Sequence, residues 1–206
     1  MKRIIKKPDE RKKEIIEVAE KLFASEGYSK TSVETIISKA EIAKGTFYYY
    51  FKSKKELLSA IVNQTLSSLA EYFDAIANMD NISAAEKLKL MLRGPEKEKK
   101  ANSSTMEIIH LPENRELQED LNIQTIKIIS PIIAKVIIQG NSEGIFHARA
   151  PEESVQILMT GSLFLLDSGL FDWGMEKKES LLKTFQLLFE MALGVNEGEF
   201  DFISNQ

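Results

Sequence analysis

Lys44-Gly45-Thr46-Phe47-Tyr48-Tyr49-Tyr50-Phe51, followed at once by Lys52, Ser53 and Lys54, is the stretch that decides the fold. On a short helix this order sets cationic, small and phenolic side chains on one face and aromatic hydrocarbon on the other, which suits a DNA groove. Four-residue steps put Ala43, Phe47 and Phe51 on the inner face; Lys44, Tyr48, Gly45 and Tyr49 fall outside. The competing reading is an aromatic hinge that merely packs a small domain. Phe47 and Phe51 already supply the inner anchor, so three further phenols exceed what the core of a roughly 50-residue unit needs.

Working outward, Ile15, Ile16, Ala19, Leu22 and Phe23 recur at helical steps until Gly27, predicting a first helix from Pro8 to Glu26. Ser32 precedes Val33, Ile36, Ile37 and Ala40, so a short second helix starts there with the hydroxyl as its cap. The third helix covers about Ala43 to Tyr50. Ser53 and Glu56 then form a Ser-x-x-Glu capping box opening a long helix to about Asn78. Two short helices joined by a tight turn, the second bearing the contact face, make a helix-turn-helix unit.

Charge follows the same division. Residues 1–55 hold 14 Lys/Arg against 8 Asp/Glu, a net of +6, leaving 13 against 23 and a net of −10 in the remaining 151. The first quarter is therefore expected to meet an anion. The 206 residues include no cysteine, which removes disulfides, thiol redox sensing and cysteine-ligated metals. No stretch of about 18 apolar residues runs without a charge, so a soluble protein with no membrane partner is expected.

The segment Gly27-Tyr28-Ser29-Lys30-Thr31-Ser32-Val33, with Ile36 and the run from Ala40 through Phe51 to Leu58, resembles the tetracycline-repressor (TetR/AcrR) family of bacterial regulators. The resemblance covers about residues 10–60 by motif. It implies an all-α chain: a three-helix helix-turn-helix DNA-binding domain over residues 1–55, then a larger helical ligand-sensing and dimerisation domain over 56–206. By position it assigns base contacts to Lys44, Gly45 and Thr46, and phosphate contacts to Tyr48, Tyr49, Tyr50 and Lys54. Lys suits guanine O6/N7 and Thr a thymine methyl, while glycine admits close backbone approach. Ser32 would both cap the second helix and lie near the DNA backbone. Two positions depart from the family pattern: Glu41 stands where glycine is usual in the turn, and Ile37 where a small residue is usual. A left-handed Glu41 would cost about 1 kcal/mol.

Beyond residue 60, helices are predicted over Ala84 to Leu92, Ser103 to Leu111, Asn114 to about Gln139 with a kink near Pro131, Pro151 to about Phe171, and Glu176 to about Leu193. Apolar residues cover a wide arc on the last two, and the resemblance implies that these form a four-helix dimer interface. A homodimer would set two recognition helices about 34 to 36 Å apart on a palindromic operator of double-stranded DNA.

For the small-molecule effector, expected to be at least partly apolar, Met106, His110, Phe164 and Trp173 are the candidate contacts, within an apolar set that also includes Tyr72, Phe73 and Met91. His110 and His147 lack ligand-spaced partners, so neither a metal nor a cofactor is expected. No nucleophile with a base, paired-carboxylate cleft or phosphate loop occurs at motif spacing, so an enzyme is not expected. The expected function is a cytoplasmic, sequence-specific bacterial transcriptional regulator, nucleoid-associated when bound to DNA. Its most direct form is a repressor released from its operator by a small molecule. The alternative is a constitutive, sequence-tolerant DNA-architectural protein.

Overall fold

Residues 8–95, 108–111 and 114–200 are described by the computed structural model, and among them the chain is helical with no strand. Helix α1 (Pro8–Glu26) buries Ile15, Ile16, Ala19, Leu22 and Phe23, the stripe expected from the spacing. Gly27 stops it at φ +86°, a left-handed cap that glycine adopts without a Cβ clash. Helix α2 (Val33–Lys39) starts where expected, with Thr35 N–H donating 3.0 Å to the Ser32 hydroxyl. Helix α3 (Lys44–Tyr50) and helix α4 (Lys54–Ala77) complete the amino-terminal set.

The box at the start of α4 is offset by one residue. Glu56 N–H donates to the Ser53 hydroxyl, but the Glu56 carboxylate reaches back to the N–H of Lys52 rather than of Ser53. Ala43 is exposed, not inward, because it is the cap of α3 and lies outside its helical register. Phe47 and Phe51 are buried as the spacing requires.

The chain forms two compact units. The described residues up to Thr65 belong with Ile108 and Ile109, and those from Leu66 to Pro95 belong with His110 onward. Helix α4 therefore contributes to both. The helix expected over Ser103 to Leu111 and the Met106 contact lie outside the described residues, apart from the final four positions of that helix.

The second unit is built from the rest of α4 with α5 (Ala84–Arg93), α6 (Arg115–Glu143), α7 (Pro151–Leu165) and α8 (Met175–Leu193). Helix α6 packs on α5 and α7, and α7 on α8. Two boundaries differ from the sequence reading. Helix α6 runs through Gly140 to a left-handed Gly144, because Gly140 makes room for the Phe146 ring: a Cβ there would sit 2.0 Å from it. As expected, it continues through Pro131, although the ring nitrogen cannot donate to the carbonyl of Lys127. Helix α7 ends at Leu165, six residues short of Phe171, because the Asp167 carboxylate accepts the Gly169 N–H and turns the chain.

By length and composition α6 alone among the described helices passes as a membrane span. Lys127 and Lys135 interrupt it, and Ile129, Ala134, Val136 and Ile137 feed the core. That core gathers Ile76, Leu88, Met91, Val155 and Leu193 around α6. Phe146 and Phe189 pack on Phe200, whose backbone N–H is held by the buried Glu190 carboxylate.

Candidate nucleic-acid interface

The first unit holds α3 by its two phenylalanines. Phe47 is fully buried and lies 6.0 Å from Phe51, which also has the Lys12 ammonium 5.8 Å from its ring centre. With that face fixed, the opposite face projects outward. Tyr49 is 78% exposed and Tyr48 45%, whereas Tyr50 and Thr46 are half-buried. The rings order one another: Tyr48 meets Phe47 edge-on at 5.4 Å, and Tyr50 meets Tyr49 edge-on at 4.9 Å. Stiff phenols presented this way lose little freedom on meeting a partner.

Lys44 and Gly45 are also exposed. The Lys44 ammonium lies 3.9 Å from the Glu34 carboxylate on α2 and 6.0 Å from the Tyr48 ring centre. Glu34 escaped the sequence reading because its α2 position is adjacent to Lys44 only once the turn brings the two helices together. Nothing lies within 4 Å of a Cβ built on Gly45. Gly45 is the second residue of α3, where glycine still loses more backbone freedom on folding than alanine, and no neighbour among the described residues requires it.

Ser32 is exposed at the start of α2 and bonded to Thr35. Lys54 is half-buried: its Nζ donates to the carbonyls of Tyr28 at 2.8 Å and Thr31 at 3.0 Å, and stands 4.1 Å from the Tyr28 ring centre. Thr31 in turn donates its hydroxyl to the Gly27 carbonyl. The turn between α2 and α3 contains Glu41 at φ +51°, the strained conformation expected there. Of the eight residues assigned by position, Ser32, Lys44, Gly45, Tyr48 and Tyr49 are exposed, Thr46 and Tyr50 are half-buried, and Lys54 braces the loop that precedes α2.

Of the candidate effector residues, His110, Phe164 and Trp173 lie in the second unit. His110 Nδ1 lies 3.0 Å from Asp167, whose other oxygen accepts from Gln118. Trp173 stacks on Phe171 at 4.9 Å and donates to the Leu165 carbonyl; Phe164 meets Phe171 edge-on and is 52% exposed. A separate cavity of about 340 Å³ opens among α4 to α8, and neither His110, Phe164 nor Trp173 lines it. Phe73 and Met91, from the wider apolar set, do. The stripe Thr125, Ile129 and Ile133 on α6 also lines it, at four-residue steps that were legible in the sequence but inseparable from ordinary core.

A short three-helix unit that buries one face of its third helix and exposes a cation and phenols on the other is a helix-turn-helix of the nucleic-acid-binding kind. The sequence profile of bacterial regulatory proteins of the tetR family matches residues 15–61, and that of tetracyclin repressor-like C-terminal domains matches residues 97–188. The chain belongs to the TetR/AcrR family of transcriptional regulators. It is 52% identical over 54 residues to the HTH-type transcriptional regulator YuxN of Bacillus subtilis (strain 168), covering 26% of this chain but only 19% of that one. It is 27% identical over 196 residues to the regulator YhgD of the same organism, covering 91% and 98% of the two chains. The fold is shared with SmeT, the repressor of a multidrug efflux pump of Stenotrophomonas maltophilia, at a TM-score of 0.63 and 20% identity over 95% of each chain.

Proposed function

We propose that this chain is a sequence-specific DNA-binding repressor that leaves a palindromic operator when a small molecule enters its second unit. The observation that carries the DNA reading is Gly45, an exposed helical glycine that the protein's own packing does not require, set among Lys44, Thr46, Tyr48 and Tyr49. A phosphate or base edge approaching the α3 backbone supplies the missing reason for it. In this reading Lys44, Gly45 and Thr46 meet bases; Ser32, Tyr48, Tyr49 and Tyr50 meet phosphates; and Lys54 holds the loop that presents Ser32. DNA contact belongs to residues 1–55, sensing and dimerisation to 56–206, and the protein acts in the cytoplasm.

Pairing of two copies is supported by the apolar residues left exposed on α7 and α8, among them Ile157 at 71% and Met191 at 66%, with Phe164 and Leu188. Control by a small molecule is supported by the cavity, to which α4 contributes Leu69 and Phe73 while its first residue, Lys54, serves the DNA-binding unit. A ligand lowers DNA affinity only by as much as it prefers the state that cannot bind, typically about 1 to 3 kcal/mol.

The test is selection of bound duplexes from random DNA by the purified protein, repeated with Lys44→Ala and Gly45→Ala. An inverted-repeat consensus is expected, with one or more positions losing definition in the Lys44 variant. The Gly45 variant is expected to melt no lower than the parent yet bind its consensus at least about tenfold more weakly. No enrichment, or undiminished binding by both variants, would sink the reading.

A further inference from the structure

The lining of the second unit's cavity specifies what it accepts. At about 340 Å³ it lies at the small end of the roughly 300–1,000 Å³ range of ligand pockets. Its walls are hydrocarbon: Phe73 from α4, Met91 from α5, Ile129 and Ile133 from α6, and Phe185 and Phe189 from α8. Among the described residues no charged side chain lines it, and only two lining residues carry a polar side-chain atom, Thr125 on α6 and Ser162 on α7.

Those two hydroxyls are unequal. Ser162 spends its proton on the Met159 carbonyl at 3.0 Å, so toward the cavity its oxygen can only accept. Thr125 donates to no described acceptor through its side chain and so offers one donor and one acceptor. Among the described residues, the buried charged groups of the same unit are committed elsewhere. Lys87 donates to the Ala77 carbonyl and to Gln139, Glu190 accepts from Gly198, Phe200 and Gln186, and Asp167 is held by His110, Gln118 and Gly169. An ionised ligand would thus exchange water for hydrocarbon with no counter-charge, a transfer that costs several kcal/mol for a carboxylate or ammonium. A neutral hydroxyl or carbonyl loses only what Thr125 and Ser162 return.

Resting on the reading of this cavity as the effector site, we propose that it binds uncharged, largely hydrocarbon molecules with a single hydrogen-bonding group, and rejects ionised molecules of the same size and shape. The hydrogen-bonding group meets Thr125 and Ser162, and the hydrocarbon lies between Phe73, Ile133 and the two phenylalanines of α8.

Two fluorescent probes with one aromatic skeleton test it on the full chain: neutral N-phenyl-1-naphthylamine and anionic 8-anilino-1-naphthalenesulfonate. The neutral probe is expected to bind saturably and at least about tenfold more tightly than the sulfonate. Met159→Trp, which puts a bulkier side chain into the cavity, is expected to weaken that binding severalfold; Thr125→Val, which keeps volume and fold, should weaken displacement of the probe by 1-decanol severalfold while leaving displacement by decane unchanged. Decanoate at about pH 8, where it is ionised, should displace the probe at least about tenfold less well than decanol. Equal affinity for sulfonate and neutral probe, or equal displacement by decanoate and decanol, would overturn the proposal, as would neutral-probe binding unchanged in a folded Met159→Trp protein and a Thr125→Val protein with unaltered decanol displacement. Operator release is scored separately: decanol that displaces the probe but leaves DNA bound keeps the ligand class and refutes release as its consequence.

Discussion

Lys54 holds Tyr28 twice, donating 2.8 Å to its backbone carbonyl and placing its ammonium 4.1 Å from the centre of its ring. Tyr28 is buried against Phe23, edge-on at 5.0 Å, so the first residue of α4 is tied through it to the end of α1. The second bond, to Thr31, fixes the residue immediately before Ser32. A lysine expected to be a phosphate contact is therefore also the brace of the loop that starts α2.

Replacing Lys54 by Met keeps the stem but removes both bonds and the cation over the ring. Hydrogen bonds to a charged donor contribute about 1.5–3 kcal/mol, and the half-exposed setting puts the expected loss at the low end. The variant should melt lower and bind every DNA sequence more weakly, while the slope of log affinity against log salt falls by less than about one. A slope reduced by a full unit at unchanged melting temperature would make Lys54 a phosphate contact alone.

Glu41 occupies the left-handed region at φ +51° in the turn between α2 and α3. Its exposed side chain is not required by the core. Glu41→Gly removes the Cβ strain and gains about 1 kcal/mol, less what glycine's freer unfolded chain takes back. The expected result is a small rise in the midpoint of urea unfolding, together with tighter DNA binding because a negative charge is gone from the unit proposed to meet the phosphates. A lowered midpoint would mean that the Glu41 side chain supports the turn.

Most of the first unit was legible because its signals are local. Ser32, Gly27, Phe47 and Phe51 sit at fixed offsets within one turn or helix, and each adopts the role that its offset dictates. The second unit was legible as helices but not at their ends. Gly140 looks like a stop in sequence, yet what it answers is Phe146, a tertiary neighbour. Asp167 and Gly169 end α7 through a side-chain bond that no periodicity announces, and apolar runs on both sides favoured continuation. Cavity and core use the same residue types, so Ile129 and Ile133 could not be told from packing until the helices around them were in place.

Acid should loosen the second unit at the start of α5. The Glu143 carboxylate accepts the Ala84 N–H at 3.0 Å and a bond from Gln139, and these hold its pKa below the usual carboxylate range. Glu86, bonded to the Ser83 N–H and hydroxyl, is lowered in the same way. For a lowered carboxylate the unfolded chain takes up the proton first, so the stabilisation is present above the unfolded pKa and is lost as pH falls through the folded one. Both groups are solvent-exposed, which keeps the effect modest. In urea titrations Glu143→Gln should be slightly less stable at neutral pH and should lose less stability below about pH 4.5 than the parent. Parallel curves for the two proteins would exclude Glu143 as a source of the acid response.

Gly140 and Phe146 make the sharpest steric prediction. A Cβ on Gly140 would meet three Phe146 ring carbons at 2.0, 2.5 and 2.8 Å, and that ring is buried against Phe200. The segment cannot simply swing away, because the backbone N–H groups of Ile145 and Phe146 both donate to the Gly140 carbonyl. Overpacking of this kind costs about 1–3 kcal/mol or more, larger than the roughly 1 kcal/mol that alanine gains over glycine inside a helix. Gly140→Ala should therefore unfold at lower urea, the reverse of its effect at an open helical site such as Gly45. Pairing it with Phe146→Leu tests the cause: the double variant should recover part of the loss relative to the sum of the two single changes. Strict additivity would show that the contact is not what glycine is there to relieve.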